Sequence, residues 1–174
     1  MTLPSVLVTD TNIWIDLEHG NVLEDVFQLP YQFITPDFAR MELLSIECQR
    51  LESLGLNFVE LRPKLVSKLY QVRDRYRALS VIDLAAFLLA KDLSATLVTG
   101  DRRLIELAKS NQLTVHGVIW LLDEVVSLDV LAPVKAAAAL QRMIELGARL
   151  PQDEYRRRLS IWSGRWLRGK PLTW

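Results

Sequence analysis

Cysteine is almost absent: Cys48 is the only one among 174 residues, so no disulfide can form within the chain and a reducing compartment is the expectation. A lone cysteine in an apolar-looking stretch reads as a small core residue. Histidine is as scarce, with His19 and His116 far apart in the sequence, and no His/Cys cluster offers a zinc site. Neither sign of charge prevails. Lys+Arg and Asp+Glu both count 21, and the zero net charge argues against a protein held on nucleic acid by overall positive charge. A few local cations that position a phosphate backbone are still compatible with it. No apolar run reaches the ~20 residues that span a bilayer, and the longest candidate is interrupted by Asp83, Lys91 and Asp92. The N-terminus lacks a basic region followed by an apolar core, so neither a signal peptide nor a membrane span is expected, and the location expected is cytoplasmic. The turn after the first apolar run holds no glycine, which removes a dinucleotide-binding fingerprint.

Half of the residues are hydrophobic, enough for a sizeable core without staples. Val6-Leu7-Val8 reads as a strand ending at the polar cluster Thr9-Asp10-Thr11-Asn12, which caps a helix over 13–18. A second short helix is expected over 22–27 and a second strand over 31–35. Thr35-Pro36-Asp37 then reads as the start of a helix running to about Cys48: threonine as cap, proline first, an acid at the positive dipole end. Further strands are expected over 57–61, 96–98 and 113–115. Helices are expected over 63–77, 81–93 (capped by Ser80), 102–110, 118–128, 134–146 (closed by Gly147) and 151–162. Short apolar strands alternating with helices imply an α/β fold, a parallel β-sheet flanked by helices on both faces. After Ala132-Pro133 the character becomes helical, so the expected division is an α/β body over 1–130 and a helical C-terminal extension over 131–174.

In an open parallel sheet, ligands sit at the carboxyl ends of the strands. Asp10 ends the first strand, Asp101 lies just past the fourth, Glu42 falls in the second turn of the helix after strand two, and Asp83 in the first turn of the helix leading into strand four. Singly, each acid has an ordinary explanation as a helix cap, a favourable charge at a helix start or a solvated position. Jointly, four carboxylates at one sheet edge would repel one another unless a cation neutralised them. Mg²⁺ or Mn²⁺ suits such an all-oxygen set, and hydrolysis of a phosphodiester by an activated water is the chemistry suggested.

Val8-Thr9-Asp10-Thr11-Asn12 after a strand resembles the opening motif of PIN domains. Thr35 to Leu44, with Glu42-Leu43 inside it, looks like the family's second motif, Ser80 to Ala86 around Asp83 is similar to its third, and Val98-Thr99-Gly100-Asp101-Arg102 to its fourth. The order and spacing match over roughly residues 5 to 120. The resemblance implies a Rossmann-like sheet and a Mg²⁺- or Mn²⁺-dependent RNA endonuclease, with Asp10, Glu42, Asp83 and Asp101 as catalytic metal ligands. Asn12 would orient an acid, and Thr99 would stand behind the ligands as a polar support. Such domains are often VapC-like toxins of toxin–antitoxin pairs, which implies a small antitoxin partner. Val115-His116-Gly117-Val118, Leu121-Leu122 and Ile144 to Pro151 resemble a branch of PIN-like proteins with a helical C-terminal extension.

Other residues have competing readings. Arg102 and Arg103 are candidates for contacting a substrate phosphate, against a default of solvated helix charges. Arg156, Arg157, Arg158, Arg165, Arg168 and Lys170 make the tail locally basic, interleaved with Trp162, Trp166 and Trp174. That pattern can grip single-stranded RNA, but docking of the tryptophans on the body or a second subunit is the preferred reading, and a homodimer is the expected state. Trp14 reads as core rather than as a base-stacking platform. A haloacid-dehalogenase-like phosphatase would want an acid where Asn12 stands, and a response-regulator receiver would want neighbouring acids and a late lysine. The rival from another class is a catalytically silent PIN-fold module binding RNA or protein.

Overall fold

Residues 5–43 and 48–164 are described by a computed structural model of the chain. The apolar run near the N-terminus forms β1 (Ser5–Thr9), and its polar end opens α1 (Thr11–Gly20), followed by the short α2 (Leu23–Val26). β2 (Tyr31–Pro36) leads into a 3-10 turn (Asp37–Met41), then α3 (Cys48–Leu54) and β3 (Asn57–Val59). α4 (Pro63–Arg75), α5 (Val81–Leu93), β4 (Thr96–Val98), α6 (Arg102–Ser110) and β5 (Val115–His116) follow, and then α7 (Val118–Ser127), α8 (Pro133–Glu145) and α9 (Gln152–Trp162).

All five strands are parallel, in the order β3-β2-β1-β4-β5. From β1 the chain winds outward to β2 and β3 on one side, then crosses to β4 and β5 on the other. The strand order therefore reverses between β1 and β4, and a crevice opens beyond the carboxyl ends of strands at such a point. Flanking helices make this an α/β sheet of the expected class.

The chain divides into two compact units. Among the described residues, the first comprises 5–15 and those of Pro30–Val118; the second comprises Asp16–Leu29 and 119–164. In the first unit, α5 packs on β1, β2 and β4. Ile82 on α5 is buried, and the run from Leu84 to Ala90 lies in a core shared with Val8, Ile34 and Leu97 of the sheet and with Leu65, Leu69, Leu104 and Leu107 of α4 and α6. Each fully buried leucine contributes roughly 1.5–3 kcal/mol relative to an exposed one. α5 owes its boundaries to local chemistry: a Ser80–Asp83 capping box starts it, and Ser94 in left-handed backbone at φ 50° stops it.

In the second unit, α8 and α9 pack together. α8 ends where Gly147 adopts φ +99°, a conformation that favours glycine. A Cβ placed on Gly20 would come within 2.5 Å of Met143 Cε, so the end of α1 lies tight against α8. Arg158 donates two 2.6 Å hydrogen bonds to Asp123, one to each carboxylate oxygen. Trp162, at the end of α9, is buried. Arg165, Trp166, Arg168, Lys170 and Trp174 lie outside the described residues.

One sequence expectation needs correction. No helix starts at Thr35: Thr35 and Pro36 continue β2, Pro36 pairing with Val59, and only a 3-10 turn follows. The Thr35 hydroxyl donates to the Thr9 carbonyl (2.9 Å) instead of capping a helix, so a tertiary contact overrides the local signal. Glu42 thus lies just past the turn rather than in the second turn of a helix, and α3 starts at Cys48, where the expected helix was to end. Smaller shifts occur at β3, which stops at Val59, and β5, which starts at Val115.

Burial raises the Asp16 carboxyl from 3.8 to about 6, opposed by the positive charge of His19. A raised acid binds its proton in the folded state before the unfolded chain does, so its contribution makes stability fall as pH rises from about 4 to 6. Asp16→Asn is expected to flatten that part of the pH–stability profile and to raise Tm at pH 7.5; chemical denaturation across pH 4–8 checks both.

Candidate active site

The crevice beyond β1 and β4 carries the two acids of the strand ends. Asp10 follows β1 directly, is 1% exposed, and its backbone amide bonds the Val98 carbonyl at the end of β4 (3.1 Å). Its Oδ1 accepts the Ile13 amide (3.1 Å), which caps α1, and its Oδ2 accepts the Thr99 hydroxyl. The same Thr99 oxygen accepts the Asp101 amide at 3.0 Å. One buried hydroxyl thereby ties the ends of β1 and β4 together. Asp101 caps α6 through Oδ1, accepting the Leu104 amide at 2.8 Å.

Both acids therefore do cap helices, as the ordinary reading had it. Capping requires one oxygen and a local partner. The Thr99 bond to the second oxygen of Asp10 spans 89 residues and joins neighbouring strands, which a cap does not require.

Glu42 is drawn toward the same place from β2: its Oε2 accepts the Thr11 hydroxyl at 2.6 Å, one residue after Asp10. Asp10, Thr11, Thr99, Glu42 and Asp101 thus form a chain linked by hydrogen bonds and adjacent residues. Beneath it lies a second layer of buried threonines, with the Thr9 hydroxyl donating to the Ile34 carbonyl (3.4 Å) and Thr35 to Thr9. Buried hydroxyls need partners, and these bonds satisfy them while fixing the register of β1 against β2.

Asp83 stands apart from this chain of bonds. Its Oδ2 accepts the Ser80 amide (2.9 Å) and its own amide bonds the Ser80 hydroxyl (3.0 Å), the reciprocal capping box of α5. Asn12 is exposed in the first turn of α1, and among the described residues no hydrogen bond ties it to an acid. The bond to Glu42 comes from Thr11 instead. Arg102, with 91% of its side chain exposed, pairs with Glu106 at 3.1 Å, and Arg103 donates to the Ala78 carbonyl at 3.2 Å.

The chain matches the DUF3368 family model, a PIN domain, over residues 6–163. It belongs to the PIN-domain family. PIN domains are generally nucleases, hydrolases of nucleic acid that typically use divalent metal ions. No curated protein matches the chain. No helix among the described residues is long and apolar enough to cross a membrane.

Among the described residues, no three acids or histidines come close enough to form a ready-made metal cage. The donor chemistry of this PIN domain still fits a hard divalent cation. Mg²⁺ keeps several waters and takes only one or two carboxylates from the protein, and a carboxylate pair anchored by buried hydroxyls meets that need. Positive helix ends of α1 and α6 beneath Asp10 and Asp101 favour negative charge there.

Thr11 is the informative addition, and Thr99 was already legible as a polar support. Thr99→Val, which keeps shape and removes the bridging hydroxyl, is expected to lower nuclease activity about 10- to 100-fold, the usual cost of removing a ligand's supporting bond. Thr99→Ser is expected to restore most of it. Equal activity in the valine and serine variants would show that the bridge does nothing for function.

Proposed function

We propose that the protein is a Mg²⁺- or Mn²⁺-dependent endoribonuclease whose catalytic centre is built on Asp10, Asp101, Glu42 and Asp83. The observation that supports this best is the Thr99 hydroxyl shared between the Asp10 carboxylate and the Asp101 amide at the reversal point of the sheet. A divalent cation bound there would supply a water of lowered pKa and neutralise charge on the phosphodiester. The chain's own residues do the positioning. Thr99 and the Ile13 amide hold Asp10, and Thr11 holds Glu42. Asp83 has its second oxygen left over from the capping box, and Asn12 is available to orient an acid or a phosphate. Arg102 and Arg103, at the start of α6, are proposed to hold a neighbouring phosphate of the strand. Water adds to phosphorus, the P–O bond to the leaving nucleotide breaks, and the leaving oxygen takes up a proton.

The motifs shared with VapC-like toxins favour a role as the toxin of a toxin–antitoxin pair, a homodimer in the cytoplasm held silent by a small antitoxin. Incubating purified protein with single-stranded and structured RNAs in Mn²⁺, Mg²⁺ or EDTA tests the nuclease. Cleavage that requires metal supports it. Absence of both cleavage and calorimetric metal binding would leave a silent RNA- or protein-binding module. Copurification without any small partner would remove the toxin role.

A further inference from the structure

The end of α4 reads Arg73-Asp74-Arg75-Tyr76-Arg77, a concentration of cations in a chain whose net charge is zero. Arg75 and Arg77 are exposed, yet they do not stand on a flat surface. Together with Tyr76, Arg103 and Ser110 they line an open cavity of about 540 Å³ between the α4–α5 connection and α6, floored by the buried side chains of Leu79 and Leu107. That volume lies within the range of ligand clefts, about 300–1,000 Å³. Arg103, Glu106, Leu107 and Ser110 recur at three- and four-residue intervals, so one face of α6 forms a wall. This wall begins two residues after Asp101, and the opposite lip ends at Leu79, immediately before the Ser80–Asp83 capping box.

The polar inventory is one-sided. Three arginines face one acid, Glu106, whose Oε1 already accepts from Arg102. The Arg103 fork is anchored by the Ala78 carbonyl, which fixes its direction and leaves further N–H groups. Tyr76 is half-buried against the core, and the Arg75 guanidinium stands 5.8 Å from its ring centroid. Scattered surface arginines would be solvated and need no ligand. Here they border a concavity with an anchored ring and an apolar floor. Charge that tracks a backbone beside an aromatic on which a base can stack is the chemistry of single-stranded nucleic acid.

We propose that this cleft is a second subsite for single-stranded RNA, holding nucleotides adjacent to the scissile bond with phosphates on Arg75, Arg77 and Arg103 and a base against Tyr76. The inference rests on the nuclease reading for its substrate, but it is tested by binding alone. The experiment measures fluorescence anisotropy of a labelled single-stranded RNA on the full chain in EDTA, over a series of salt concentrations. Arg75→Ala/Arg77→Ala, at exposed positions, is expected to raise Kd at least tenfold and to reduce the log–log salt slope by roughly 1.4, about 0.7 for each lost contact. Tyr76→Leu is expected to raise Kd about tenfold with the slope unchanged.

An unchanged Kd and slope in the double variant, or no RNA binding by the wild-type chain, overturns the proposal. Competition by polyglutamate as strong as that by unlabelled RNA overturns it in favour of an acidic protein partner. Arginine-dependent RNA binding without metal-dependent cleavage supports the cleft and removes only the nuclease reading. Cleavage with binding indifferent to the arginines does the reverse.

Discussion

Asp101→Asn is expected to lower metal-dependent RNA cleavage by about 10²–10³ while leaving Tm almost unchanged. The loss follows from removing one negative oxygen donor from a site proposed to stabilise several kcal/mol of transition-state charge, each 1.36 kcal/mol being tenfold in rate. The structural tolerance follows from the cap. Asp101 uses Oδ1 toward the Leu104 amide, and asparagine caps helices as well as aspartate. Asp10→Asn separates from it on stability. Asp10 accepts the Ile13 amide on Oδ1 and the Thr99 hydroxyl on Oδ2, and an amide offers one acceptor oxygen where the carboxylate offers two. One buried donor then loses its partner at a cost of about 1–3 kcal/mol, so this variant is expected to lose both cleavage and a few degrees of Tm. Paired kinetics and calorimetry read the difference. Cleavage that survives both substitutions points to a contaminant and removes the carboxylates from the mechanism.

The parts of the fold that were legible in the sequence are those governed by local chemistry. Ser80 with Asp83 three residues on starts α5 in the expected place, and the apolar Thr96-Leu97-Val98 forms β4 with the expected bounds. Thr35-Pro36-Asp37 misled because it is a good helix start only if the Thr35 hydroxyl stays local. It is spent on Thr9 in the neighbouring strand, and Pro36 remains paired in the sheet.

The candidate site divides along the same line. Acids at strand ends can be picked out because topology places strand ends together. The role of Thr11 as the anchor of Glu42 has no local signature, since the two residues are 31 apart and meet only through the parallel pairing of β1 with β2. The basic cleft was hidden for a related reason. Arg103 was readable beside Asp101, but Arg75 and Arg77 join it only because α4 ends against α6, and a one-dimensional charge count averages them to zero.

Trp14→Ala is expected to be the most destabilising of these changes. The Trp14 side chain is fully buried one helical turn after Asp10, and its ring meets Phe33 of β2 edge-on, with centroids 5.6 Å apart and planes at 75°. Truncating a buried tryptophan costs about 3–5 kcal/mol, and 1 kcal/mol shifts Tm by about 2–4 °C in chains of 150–250 residues, so Tm should fall by on the order of 10 °C. The same contact bears on the site: it fastens the first turns of α1 to β2, and that turn presents Thr11 to Glu42 and Asp10 to Thr99. Trp14→Phe, which keeps a ring against Phe33, is expected to recover most of the stability and most of the activity. It also decides between the two roles open to this residue. A buried anchor leaves RNA affinity unchanged in the phenylalanine variant. A base-stacking platform would lose affinity while Tm stayed high, and that outcome would require Trp14 to leave the core in which it is packed.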